Sequence, residues 1–331
     1  MPSSRLCEYL PVMRRSWPAR SPPPGGPVAS IGAVTQTAES PPVPGAETAH
    51  DEEVFRGRAA RVTVITPAPR WPHLDLPELW HYRELLGRLA WRDVAVRYKQ
   101  TAIGVAWAIL QPFLMMVVFT IVFGKFANAP SKNVPYPIFS YSALLPWTYF
   151  ASAVAISSAS LVSNRPLVTK IYFPRVLLPL AGVAVPVVDF LLALVVLFGM
   201  MVWFDVSPSA GIVLAPVFLL IALVTALGVG LFLSAINVRY RDVPYVIPLL
   251  MQVWLYFSGV VYALEDLAEW QQWVLALNPM TAVINGFQWG VLATEPPGLG
   301  KTMVSVAAMA AILIVGLSYF RRSEPRFADT I

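Results

Sequence analysis

Apolar residues gather along this chain into long runs instead of alternating with polar ones. A hydrocarbon core of about 30 Å takes roughly 20 helical residues to cross. By that measure six runs qualify as membrane spans: Ile103 to Phe126, Ile138 to Val162, Val176 to Phe204, Ile212 to Ile236, Val246 to Tyr262 and Met303 to Phe320. Ahead of them, Leu79, Tyr82, Leu86 and Leu89 recur at helical spacing while Arg83, Glu84, Arg88, Arg92 and Asp93 fill much of the rest. This pattern predicts an amphipathic helix lying along the membrane surface. Asp75, with Pro77 in the first turn and Glu78 three residues on, is the predicted start.

Between the fifth and sixth spans, Leu267 to Leu277 and Pro279 to Leu292 are apolar pieces too short to cross. Asn278 separates them as the predicted N-cap, with Pro279 at the first helical position. An external re-entrant or interfacial helical hairpin is expected there. The fold class expected is therefore an all-α integral membrane protein with six transmembrane helices, an N-terminal interface helix and this hairpin. The domain plan is a disordered cytoplasmic tail over 1–74, the interface helix over 75–100, the six-span domain over 101–322 and a cytoplasmic C-terminal tail over 323–331. The tail is assigned from runs such as Pro22-Pro23-Pro24-Gly25-Gly26, which bury too little apolar surface to offset ordering entropy.

Composition agrees: of 331 residues, 56% are hydrophobic and 13% charged, against about 25% charged in a soluble domain. The net charge of +5 is distributed between the spans, not in one basic stripe, which points to topology and away from nucleic acid. Arg83, Arg88, Arg92, Arg97 and Lys99 precede the first span, Arg165, Lys170 and Arg175 separate the second and third, Arg239 and Arg241 follow the fourth, and Arg321, Arg322 and Arg326 close the chain. Both termini are thus expected in the cytoplasm, which requires an even number of crossings. Arg14 and Arg15 precede no apolar segment, so a cleaved signal peptide is not expected.

Catalytic chemistry is sparse. Cys7 is the sole cysteine, and His50, His73 and His81 all precede the first span. Neither a disulfide within the chain, nor a metal site, nor a Ser/His/Asp triad within the membrane is expected. Gly298-Leu299-Gly300-Lys301-Thr302 imitates the end of a phosphate-binding loop, but Glu295 stands where the first glycine belongs. Asp189 is an acidic residue near the middle of a span, where it should not face lipid. On the sequence alone it has no evident intramembrane base. Trp107, Phe113, Trp147, Tyr149, Phe150, Trp254, Tyr256, Phe257 and Tyr262 cluster toward span ends, as interface anchors or as rings lining a passage.

Several short motifs occur in a fixed order: Arg92-Asp93, Arg97-Tyr98-Lys99-Gln100-Thr101 followed by Gly104, Trp107 and Gln111-Pro112; Val134-Pro135-Tyr136-Pro137; Leu144-Leu145-Pro146-Trp147; Lys170-Ile171-Tyr172-Phe173-Pro174-Arg175; Asn237-Val238-Arg239-Tyr240-Arg241-Asp242-Val243; and Leu277-Asn278-Pro279-Met280. Over roughly residues 80 to 322 the chain resembles the membrane subunits of ABC exporters for lipid-linked O-antigen, teichoic acid or galactan. It departs from their pattern at Ser258-Gly259-Val260-Val261-Tyr262-Ala263, where Ser-Pro-Val-x-Tyr-Pro is common, and at Gln288, where Arg is common.

The resemblance implies a permease without an ATPase site of its own, in a bacterial inner membrane. It pairs with a second copy of itself and with two cytoplasmic ABC ATPase subunits that carry ATP and Mg, and it moves a polyprenyl-linked glycan. It binds no cofactor itself. Arg88, Arg92, Arg97, Tyr98 and Lys99 would frame substrate entry. Asn164, Arg165, Leu167, Lys170 and Tyr172, with Arg239, Arg241 and Asp242, would couple to the ATPase. Trp107, Phe113, Tyr149, Asp189, Trp254, Tyr256, Phe257 and Tyr262 are candidate channel-lining residues. An ABC permease for drugs or small lipids, an ion-coupled carrier dependent on Asp189, and a membrane glycosyltransferase are the alternatives.

Overall fold

The computed structural model describes residues 76–99, 106–127, 129–131, 134–171 and 173–327. The expected tail over 1–74, the proposed start at Asp75, the opening residues of the first expected span and Tyr172 lie outside the described residues. Among the described residues every regular element is helical. In chain order these are α1 (Leu76–His81), α2 (Arg83–Lys99), α3 (Ala106–Phe119, continuing as a π-helix over Thr120–Phe126), α4 (Tyr136–Ser163), α5 (Arg165–Lys170), α6 (Leu177–Ala184), α7 (Pro186–Trp203), α8 (Ala215–Arg239, preceded by a 3-10 turn over Ala210–Leu214), α9 (Val243–Tyr256), α10 (Glu269–Ala276), α11 (Pro279–Leu292) and α12 (Leu299–Ser323).

Five stretches are long and apolar enough to cross a membrane: Ala106–Phe126, Tyr136–Ser163, Leu177–Trp203, Ala210–Arg239 and Leu299–Arg326. They match five of the six expected spans. The remaining one, expected over Val246 to Tyr262, is the shorter α9, whose 14 residues rise about 20 Å at ~1.5 Å each. The chain leaves the helix at Phe257, and Gly259 turns it with φ +73°, a left-handed conformation that favours glycine. The expected surface helix is likewise in two pieces, α1 and α2, with Tyr82 between them.

α4 is the hub. It packs against α3, α6, α7, α8, α9 and α11. Ile138, Phe139, Tyr141, Leu144, Leu145, Phe150 and Leu161 are fully buried along it. Five of its hydroxyls are satisfied locally: Ser140, Ser142, Thr148, Ser158 and Ser160 each donate to the carbonyl three residues back. Such back-bonding hides polar groups that have no water to turn to. Close packing on two sides depends on small residues. A Cβ on Gly230 of α8 would lie 2.3 Å from Ser157 Oγ, and one on Gly182 of α6 would lie 2.9 Å from the Ser157 Cα. Without hydrophobic driving force between helices in lipid, such close approach is the main source of attraction.

Two contacts bring the chain's basic ends together. Arg175, just before α6, donates to the Glu324 carbonyl beyond α12, and α2 packs against α6. The end of the last helix therefore lies on the same side as the first.

Candidate functional site

Asp189 has no partner within reach of sequence spacing, and the structure supplies two. Pro186 starts α7 after a break at Val185, which sets Asp189 in the first turn of a new helix. There its Oδ2 lies 2.8 Å from Arg97 Nη2, and its Oδ1 accepts a hydrogen bond from the Tyr98 hydroxyl. Asp189 is thus not a lone carboxylate, because the end of α2 meets it. The side chain of Arg97 stays 36% exposed and that of Asp189 15%, so the pair sits at an opening and not in the core. Burial first, then the hydrogen bond and charge of Asp189, push the Tyr98 phenol above its usual value, with Arg97 pulling the other way. The phenol therefore keeps its proton to higher pH than an ordinary tyrosine.

Beside this cluster is a cavity of about 400 Å³ between α2, α3, α4 and α7. Arg97, Tyr98, Asp189, Gln111, Thr148 and Ser152 supply its polar groups, while Trp107, Tyr149 and Phe190 supply aromatic walls. A charged corner next to aromatic surface suits an anion that carries an apolar body. Of the candidate lining residues, the structure brings Trp107, Tyr149 and Asp189 into this cavity. Tyr149 is otherwise core: it is 2% exposed and its hydroxyl donates to the Val183 carbonyl at 3.3 Å.

The other lining candidates lie elsewhere. Phe113 is 40% exposed on α3. Trp254 donates from Nε1 to Asn278 Oδ1 at 2.9 Å and meets Phe150 edge to face. Tyr256 and Phe257 are exposed, and Tyr262 donates back to the Tyr256 carbonyl at 3.0 Å. Together they surround the junction of α9 with the α10–α11 segment. Asn278 is the N-cap of α11 with Pro279 in its first turn. Gln288 is buried, its Nε2 donating to the Phe139 carbonyl at 3.1 Å, so this departure from the family pattern is an interior contact with the hub.

Among the entry candidates, Arg88 and Lys99 are exposed on α2. Arg92 is held at both ends: Nε donates to Asp93 Oδ1 at 2.8 Å, and Nη2 to Asn164 Oδ1 at 2.7 Å. Asn164 terminates α4, returning its own Nδ2 to the Ser160 carbonyl at 2.9 Å, and α5 begins at the next residue. Within the segment Asn164 to Tyr172, where coupling is expected, Arg165–Lys170 form the short helix α5. It turns Val168 inward, half-buries Leu167 and leaves Arg165 and Lys170 exposed. Arg239, the last residue of α8, and Arg241 and Asp242 in the α8–α9 connection are exposed. Just before it, Asn237 Nδ2 donates to the Ser158 carbonyl at 3.0 Å, anchoring that connection to the end of α4.

The loop-like Gly298 to Thr302 segment opens α12 instead of cradling phosphate. Lys301 Nζ donates to Gln272 Oε1 at 2.5 Å, and Thr302 Oγ1 to the Gly298 carbonyl at 3.1 Å.

The ABC-2 type transporter model matches residues 84–292, from the first turn of α2 to the end of α11. This chain belongs to the ABC-2 type transporter family. The ABC-2 match thus includes α2 and α11 as well as the apolar spans between them. An O-antigen export system permease protein RfbA of Myxococcus xanthus is 30% identical over 257 residues, which cover 77% of this chain and 98% of that protein. An RfbA of Klebsiella pneumoniae is 26% identical over 251 residues, 75% of this chain and 95% of that protein. The polysialic acid transport protein KpsM of Escherichia coli is 23% identical over 246 residues, 70% of this chain and 91% of its own length.

The pairing of Arg97 with Asp189 was out of reach of sequence spacing, since 92 positions separate them. The signal was present only in general form: an acid within a span calls for a partner, and Arg97 and Lys99, just ahead of the first span, are among several cations that could supply it. Gln111, Thr148, Ser152 and Phe190 carried no such signal, because a mid-span polar or aromatic residue looks the same whether it faces a neighbour or a cavity.

Proposed function

We propose that this chain is the channel-forming permease subunit of an ATP-driven exporter that carries polyprenyl-linked polysaccharide out across a bacterial inner membrane. The observation that carries this reading is the similarity to O-antigen permeases along 98% of one such protein's length. The similarity to a polysialic acid transport protein supports the same substrate class. ATP is hydrolysed by separate cytoplasmic subunits, two of them docked on a dimer of this chain.

The same-side placement of α2 and the end of α12 supports an even number of crossings. α9 with the turn after it completes the sixth crossing, and α10–α11 forms a hairpin on the external face. α1 and α2 lie in the cytoplasmic interface, and Arg88, Arg92, Arg97, Tyr98 and Lys99 receive the lipid's phosphates there. An arginine fork suits phosphate oxygens, and basic groups at the headgroup level attract anions. α5 is the coupling helix, with its exposed Arg165 and Lys170 toward the ATPase and Leu167 and Val168 seating it on the membrane domain. The Arg239 to Asp242 connection is a second contact. ATP closes the partner subunits, shifts these segments and so favours an open passage, provided it binds the closed state more tightly.

Reconstitution into vesicles with the cognate ATPase and a lipid-linked glycan tests this. ATP-dependent appearance of glycan on the far side is expected, with none from this chain alone. Transport without the ATPase overturns it.

A further inference from the structure

We infer that the Arg97–Asp189 pair is a latch that an incoming phosphate opens: the protein's own carboxylate holds the anion position of the cavity until a lipid phosphate replaces it. This rests on the exporter reading for its substrate class and adds a mechanism of substrate sensing.

Three observations carry it. Arg97 makes its ion pair at the edge of an open cavity, where both partners are reachable. The guanidinium fork accepts carboxylate and phosphate alike, and phosphate brings the greater charge. Asp189 also has a second donor in the Tyr98 hydroxyl, which keeps a hydrogen bond on the carboxylate after Arg97 has left it. The exchange therefore leaves the carboxylate with a hydrogen-bond donor, which lowers the usual cost of breaking such a pair. Trp107 and Phe190 on the cavity wall offer apolar contact to the first part of the lipid chain.

The latch is wired to the coupling segment. Arg97 and Arg92 lie on the same helix, and Arg92 grips Asn164 at the start of α5. Releasing the far end of α2 from α7 changes the load on that grip, so lipid occupancy and the position of α5 are linked. Linkage is reciprocal, so the ATPase state also sets lipid affinity.

The test uses the full chain in nanodiscs of neutral lipid, titrated with a fluorescent polyprenyl phosphate, the uncharged polyprenol and anionic phosphatidylglycerol. Asp189→Asn removes the competing charge and is expected to tighten polyprenyl phosphate binding about fivefold or more. Tyr98→Phe takes away the carboxylate's second donor, makes Asp189 cling to Arg97, and is expected to weaken it. Arg97→Gln is expected to lose binding about tenfold, and adding Asp189→Asn to it should change nothing further. Polyprenol should be insensitive to all three. Phosphatidylglycerol responding equally would identify the site as one for phosphate lipids in general; polyprenyl phosphate responding alone identifies the export substrate's carrier. Weaker or unchanged binding in Asp189→Asn with normal thermal unfolding overturns the latch. If that variant does not fold, unaltered binding in Tyr98→Phe overturns it instead. Because lipid binding is read without glycan transport, these results stand apart from success or failure of the export assay.

Discussion

Gly316 of α12 lies so close to Gly228 of α8 that a Cβ on Gly316 would fall 2.1 Å from the Gly228 carbonyl oxygen. The last helix docks chiefly on α8, with lesser contacts to α10 and α11, so this crossing holds it in place. Gly316→Val is expected to destabilise the chain by about 1–3 kcal/mol through overpacking. Its unfolding midpoint in a denaturing detergent titration should fall. An unchanged midpoint would show that α12 does not depend on this contact.

Asn278 makes four hydrogen bonds with one side chain. Its Oδ1 accepts from Trp254 Nε1 and the Met280 amide, and its Nδ2 donates to the Phe257 carbonyl and Ser258 Oγ. Asn278→Ala removes the cap of α11 and the tie to α9 together, for an expected loss of about 1–3 kcal/mol. Asn278→Asp keeps both acceptor roles and should recover part of it. Tryptophan fluorescence would report the freed Trp254 indole, and a spectrum identical to the unaltered chain would count against the tie.

Asn164→Ala cuts the Arg92 contact without touching the cavity. Polyprenyl phosphate affinity should hold, while its stimulation of the partner ATPase should fall several-fold, within the usual range of coupling energies. Asn164→Asp, which still accepts from Arg92, should restore stimulation. Loss of affinity and stimulation in equal measure would mean that Asn164 supports the fold and not the relay.

Tyr98 has a phenol pKa raised above its usual value, so the folded state holds that proton more tightly than the unfolded one. Its contribution to stability is complete below about pH 10, the ordinary phenol value, and is lost as pH climbs through the raised value. Tyr98→Phe should therefore be less sensitive to alkali above pH ~10 than the unaltered chain, and no different in pH dependence near neutrality. Thermal unfolding across pH 7 to ~11 checks this.

Hydropathy made the spans legible because lipid forces each crossing segment to advertise itself in consecutive residues. Asn278 was legible as a cap for a similarly local reason. Relations across the fold were not: nothing in the neighbourhood of Asp189 names Arg97, and nothing near Asn164 names Arg92. The short α9 also escaped detection, because Phe257 to Tyr262 is apolar enough to prolong a helix on paper while Gly259 turns the backbone away. Gln288, which stands where Arg is common in the family pattern, likewise gave no local sign that it is an interior donor to the hub helix.

The enclosure of α4 has a consequence for movement. A rod gripped around most of its circumference by close-packed neighbours cannot tilt without dislodging them, since packed interiors resist continuous deformation. α4 is accordingly the stator of this machine. The travel needed to admit and release cargo falls to the outer helices, and above all to α2 and α3, which meet the rest of the chain around a hollow.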